Sequence, residues 1–200
     1  MADKGIIFSA AMVRALLDGR KTQTRRLCKG ANENHLAHVV ALDVPPKPGW
    51  FGDEEGEVQF NSGYATGDRL YVREAWRTWK DFDHLSPKAL PPDAPIFPEE
   101  DRDNCDRHGR YRSGRFMMRH MSRLTLTVTD VRVQRVQDIS EADARAEGVE
   151  HAIRYNQVAD ACLSAIDRFK VLWNSLHTKP GETWDDNPWV VALTFDVRKG

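Results

Sequence analysis

RLTLTVTDVRVQRV, Arg123 to Val136, alternates apolar and polar side chains, with Leu124, Leu126 and Val128 on one face and Val131, Val133 and Val136 following after a change of phase. Period-two alternation marks a strand with one buried face. The change of phase near Thr129 predicts a bulge or bend. Other segments take their places around this strand. GDRLYVREAW, Gly67 to Trp76, is a turn signal followed by an aromatic and β-branched run, and NPWVVALTFDV, Asn187 to Val197, reads as a closing strand. Ile6 to Phe8 reads as a brief first strand. Ser9 can then cap a helix whose Val13, Leu16 and Leu17 share a face and which Gly19 ends. Ser140 with Asp143 three residues on resembles a capping box, opening a helix that Gly148 closes. A longer helix over roughly Val158 to Leu176 is expected to turn Leu163, Ile166, Phe169, Val171, Leu172 and Trp173 toward a core.

Strands dominate the centre and helices flank them, so an α+β fold is expected, with a small curved mixed sheet or a β-barrel. The 200 residues, 40% of them hydrophobic, suffice for one sizeable core. A single domain over 1–200 follows, with insertions at about 28–65 and 80–115. The first insertion carries Pro45, Pro46 and Pro48 and reads as irregular; the second is rich in Pro, Asp and Arg and is ordered, if at all, by packing onto the core.

Twenty-nine basic against 30 acidic side chains give a formal charge of -1, so the whole-chain balance demands no polyanionic partner and any basic patch must be local. Cys28, Cys105 and Cys162 are odd in number and widely spaced, which argues for a reducing compartment over a disulfide framework. No apolar run approaches the roughly 18–20 residues of a membrane span, and the opening segment is too short for a signal peptide. A cytoplasmic monomer with no membrane contact is the expectation.

The chemistry concentrates in GRKTQTRR, Gly19 to Arg26, which leaves a helix C-terminus. A lysine and threonines beside a turn are ordinarily solvated. Here Arg20, Arg25 and Arg26 flank Lys21, and their field, helped by partial burial, would lower its pKa and free the amine as a base for the Thr24 hydroxyl. Alternation along a strand would put Thr22, Thr24 and Arg26 on one face and Gln23 and Arg25 on the other. Lys21 and Thr24 therefore converge only if the segment turns near Thr22 or Gln23. Glu147 falls in the last turn of its helix, where the dipole is unfavourable to a carboxylate, and read locally it is a solvated helix-end residue. Arg73 and Glu74 follow the GD-strand, and Trp76 could stack on a flat base. Cys105 and His108 are spaced for metal ligation, but zinc sites usually show two such pairs, and neither metal nor cofactor is expected.

The opening apolar segment, GRKTQTRR, GDRLYVREAW and the long strand followed by DISEADARAEGV together resemble the ASCH family, and the layout resembles its larger, prophage-type members. The resemblance covers most of the chain outside residues 28–65 and 80–115. It implies a PUA-like fold and, by similarity to the branch that hydrolyses N4-acetylcytidine, a catalytic set of Lys21, Thr24 and Glu147, with Glu141 the competing carboxylate in the same helix. It further implies substrate binding by Arg26, Arg73, Glu74 and Trp76, and an acylated nucleoside or nucleobase as the partner. Two other readings stay open: a non-catalytic RNA-binding module of PUA-like fold, and a phage-associated accessory or nuclease protein. A compact cationic cluster suits a small pocket better than a long strand.

Overall fold

The computed structural model describes residues 3–42, 48–99, 105–149 and 163–200. Its centre is a five-stranded sheet in the order β1 (Lys4–Ile7), β6 (Arg69–Arg73), β9 (Leu124–Arg135), β10 (Trp189–Lys199), β2 (Gln23–Leu27). The β1–β6 pair is parallel and the others are antiparallel. With helices α1 (Ala10–Leu17), α2 (Lys29–Glu33), α3 (Glu141–Ala146) and α4 (Ala165–Leu176), the fold is α+β. The sheet is open, and the barrel alternative does not hold: β1 and β2 are its two edges. A side chain spans the gap, because the Arg26 guanidinium on β2 donates to the carbonyl of Ile7 on β1 at 3.0 Å.

The long strand carries the bulge its phase change predicts. Thr194 faces Asp130 and Phe195 faces Val128, which leaves Thr129 as the extra residue. Ahead of the bulge, Leu124, Leu126 and Val128 are buried in one cluster with Val13 and Leu16 of α1. Beyond the strand's far end a second cluster gathers Val136, Ile139 and Ala144 with Phe169 and Trp173 of α4. Ser164 and Asp167 form a full capping box that starts α4. The expected residues Val158 to Cys162 lie outside the described ones. Leu163 and Val171 do not join the core: both are exposed, Leu163 because it precedes the helix and Val171 because it sits away from the face that Phe169 and Trp173 share.

The described residues of 28–65 are not irregular. They form α2 and an antiparallel sheet of β3 (Val40–Ala41), β4 (Trp50–Gly52) and β5 (Gln59–Asn61), and Cys28, Ala31, Phe51 and Phe60 are buried in the main core. The Asn32 side chain fixes this unit to β10, donating to the Trp189 carbonyl at 2.9 Å and accepting from its N–H at 2.8 Å. The described residues of 80–115 pack onto a small cluster at their flanks: Leu90 and Ile96 lie against Trp76, Met117 and Met121, beside the hairpin-like pair β7 (Trp76–Arg77) and β8 (Phe97–Pro98).

Gly30 tests whether the first of these units belongs to the core. A Cβ there would sit 2.5 Å from the Phe60 ring, so Gly30→Ala must displace a buried aromatic. We expect a lowered urea midpoint at unchanged slope, a cost of about 1–3 kcal/mol from overpacking; an unmoved midpoint would return the segment to a peripheral loop.

Candidate active site

Lys21 lies between α1 and β2, outside the regular strand. Gly19 turns the chain with φ of 73°, the N–H groups of Arg20 and Lys21 both donate to Ala15 O at 2.9 and 3.0 Å, and the Thr22 N–H donates to Ala146 O at 2.8 Å. The end of α1 is thereby tied to the end of α3. Gly148, with φ of 78°, makes this approach possible, since a Cβ there would lie 2.9 Å from Ala15 Cβ and 3.0 Å from Lys21 Cβ.

These ties bring Lys21 and Glu147 together, although 126 residues separate them. Lys21 Nζ donates to Glu147 Oε2 at 2.7 Å and to the Glu147 carbonyl at 2.9 Å. Arg25 donates through Nη1 to Glu147 Oε1 at 3.1 Å and through Nη2 to Asp143 Oδ2 at 3.1 Å. Asp143 also accepts from Gln23 at 2.9 Å and from Arg132 at 3.3 Å. The predicted capping box is therefore only half made: Ser140 accepts from the Asp143 N–H, while the Asp143 carboxylate is drawn to β2. The solvated readings of these residues do not stand, because Lys21 and Thr24 are each 1% exposed and Glu147 is 3% exposed. A carboxylate at the negative end of a helix is tolerated here because two cations face it.

Thr24 and Arg26 occupy the other face of β2, as strand alternation requires. Arg26 donates through Nη1 to Thr24 Oγ1 at 3.1 Å, and its guanidinium lies 5.1 Å from the centre of the Phe8 ring. Lys21 Nζ lies 5.5 Å from the same ring centre. Phe8 is thus the apolar wall common to Lys21 and to the arginine that holds the Thr24 hydroxyl. Lys21 and Thr24 make no direct hydrogen bond; two of the ammonium's three donor positions are taken by Glu147.

Burial is the largest influence on Lys21 and drives its pKa below the ordinary lysine value; Glu147 opposes this, and Arg26 and Arg25 reinforce it. Relative to the unfolded chain, the folded protein shifts Lys21 toward the neutral amine. Its contribution to stability is weakest where Lys21 is charged in both states and grows as pH rises from the lowered folded value toward the unfolded value of about 10.4.

The remaining expected site residues lie elsewhere. Trp76 is wholly buried under the Arg112 guanidinium and offers no face to a ligand. Glu74 is buried with both oxygens on Arg123, at 2.9 and 3.0 Å. Arg73 donates to Gly114 O at 3.0 Å, in the second insertion. Glu141 accepts from the N–H groups of Ala165 and Ile166, fixing the start of α4, so it serves structure. Cys105 and His108 share a turn, and the His108 ring packs on Trp79 and Phe97; among the described residues no three His, Cys, Asp or Glu side chains are grouped to hold a metal ion. Sequence reasoning missed Phe8 and Asp143 as parts of the site. Asp143 had a usable signal, since SEAD at a helix start places a carboxylate where an arginine of a neighbouring strand can reach it.

No family model matches the chain, and no curated protein matches it. Among solved structures it is similar to protein EF3133 from Enterococcus faecalis, of the DUF984 family, at 11% identity and a TM-score of 0.43, over 100% of this chain and 82% of that one.

Breaking the buried pair on one side strands a charge. Glu147→Gln is expected to cost about 3–5 kcal/mol because Arg25 and Lys21 lose their common anion, and Lys21→Met with Glu147→Gln should cost clearly less than the sum of the single changes. Urea unfolding of the four proteins measures this coupling; strict additivity would mean the contact carries no energy.

Proposed function

We propose that this chain is an amidohydrolase that removes the acyl group from N4-acylated cytosine nucleosides, of which N4-acetylcytidine is the type. The observation that carries the reading is the Lys21–Glu147 contact of 2.7 Å, out of water, with Thr24 on the same short segment. The resemblance of GRKT and SEADARAEG to the ASCH hydrolase branch supports the same three residues. Glu147 takes precedence over Glu141 because Glu147 meets the lysine and Glu141 is committed to α4.

In the first half-reaction neutral Lys21 takes the proton of Thr24 while Thr24 Oγ1 attacks the acyl carbon. The C–N bond to the exocyclic nitrogen then breaks, and that nitrogen leaves with the proton returned from the Lys21–Glu147 pair, since an unprotonated amine departs poorly. Water attacks the Thr24 ester, gives its proton to Lys21, and releases the carboxylic acid with the hydroxyl restored. The backbone N–H groups of Lys21 and Thr22 are not free to act as oxyanion donors, because they already donate to Ala15 and Ala146. Arg26 takes that role, since its guanidinium is already on Thr24 Oγ1 and can follow the charge to the acyl oxygen. Thr24 is covered in this structure, so substrate entry must displace Arg26 from it.

The test is purified protein with N4-acetylcytidine, followed by loss of the acylated-base absorbance. Turnover is expected, and none at high enzyme concentration would end the proposal. Lys21→Ala and Thr24→Ala should each abolish hydrolysis, and together be hardly worse than either alone; losses that multiply would point to a directly activated water. Glu147→Gln should lower the rate by roughly 10² to 10⁴ under conditions where it remains folded, with Glu141→Gln near wild type.

The rate should also rise with pH as Lys21 loses its proton, with a midpoint below the ordinary lysine range, as its lowered pKa requires. A profile with no rise anywhere between acid pH and the ordinary lysine range would remove Lys21 as the base.

A further inference from the structure

A second concave surface lies where the insertion that follows β7 and the residues just after it meet β6, and none of Lys21, Thr24 and Glu147 lines it. One depression of about 530 Å³ is lined by Tyr71, Arg73, Lys88, Arg115 and Arg119 among others, and another of about 340 Å³ by Arg110, Tyr111 and Arg112 among others. Ser86, Pro87 and Phe116 line both, so the two are lobes of one groove with Phe116 at its waist. Among the described residues no aspartate or glutamate lines either lobe.

Its chemistry is unusual for a protein whose formal charge is -1. Lys88, Arg110 and Arg115 are exposed and make no ion pair among the described residues. Tyr111 and Phe116 are each 56% exposed; the Arg77 guanidinium lies 5.8 Å from the centre of the Tyr111 ring, so a base would stack on the face that Arg77 leaves open. Arg112 gives the floor rigidity: buried, it donates to Leu85 O and Phe82 O at 3.0 Å each.

We propose that this groove binds single-stranded nucleic acid. Phosphates would be met by Lys88, Arg110 and Arg115, and unpaired bases would stack on Phe116 and Tyr111. An acidic peptide would satisfy the cations and leave the rings in water, and a duplex would hide the base faces the rings need. Stacking contributes roughly 1–3 kcal/mol per base, and each phosphate contact makes binding to a single strand fall with salt by about 0.7 in the logarithmic slope. None of the three cations or two rings belongs to the Lys21 site, so strand binding stands or falls separately from turnover.

Fluorescence anisotropy with short labelled oligouridylate and oligothymidylate, and with the oligothymidylate paired to oligoadenylate, tests the proposal. Both single strands should bind at low salt, weaken as salt rises, and bind more tightly than the duplex; tighter binding of the RNA strand would add a sugar contact, and equal binding would leave backbone and stacking as the basis. Phe116→Ala should weaken binding roughly five- to a hundredfold, the equivalent of one lost stack. Arg115→Ala should lower the salt slope by about 0.7. Both residues are exposed, so the fold tolerates these changes, and N4-acetylcytidine turnover should be as in the parent protein. No single-strand binding at low salt, a duplex bound as tightly as the strands, or an unchanged affinity in Phe116→Ala would each overturn the proposal.

Discussion

Everything near the candidate site depends on one constraint: an ammonium held out of water must have its donors satisfied. Lys21 meets it with the carboxylate and the carbonyl of a single residue, Glu147, and both acceptors exist in the right place only because α3 stops there. The end of α3 in turn reaches Lys21 because Gly148 lacks a Cβ and because Thr22 donates to Ala146. Arg25 completes the arrangement and leaves two cations facing one buried anion. Burial is the main reason the lysine gives up its proton more readily than it would in water, and Arg26 and Arg25 add to it against the pull of Glu147.

The central strand was legible because its amino acids encode it twice, in the alternation of Leu124, Leu126 and Val128 and in the change of phase that Thr129 absorbs. The ends of α1 and α3 were legible for a similar reason: Gly19 and Gly148 adopt backbone conformations that few other residues take. Residues 28–65 were not. Their strands are two or three residues long, too short for any period to register, and their order comes from distant partners such as Asn32 on Trp189.

The site was half legible. Lys21 and Thr24 could be singled out from their neighbours, and alternation rightly separated Thr24 and Arg26 from Gln23 and Arg25. What sequence could not supply was burial. Glu147 looks like a helix-end residue in water until the elements that cover it are assembled, and Trp76 looks like a free aromatic until Met117, Met121 and Arg112 close over it. Both errors have one source, since exposure is a property of contacts made across the fold.

The span of 126 residues between Lys21 and Glu147 bears on how the molecule comes into being. A contact that closes so long a loop gains nothing until most of the intervening chain has been ordered, and contacts of this kind form late because the loop entropy must be overcome first. The strand β10, which pairs with β2 to hold Thr24 in place, comes later still in the chain. Lys21 and Thr24 are thus translated early and positioned last. A chain halted before β10 lacks the strand that pairs with β2, so Thr24 is not yet held in the sheet.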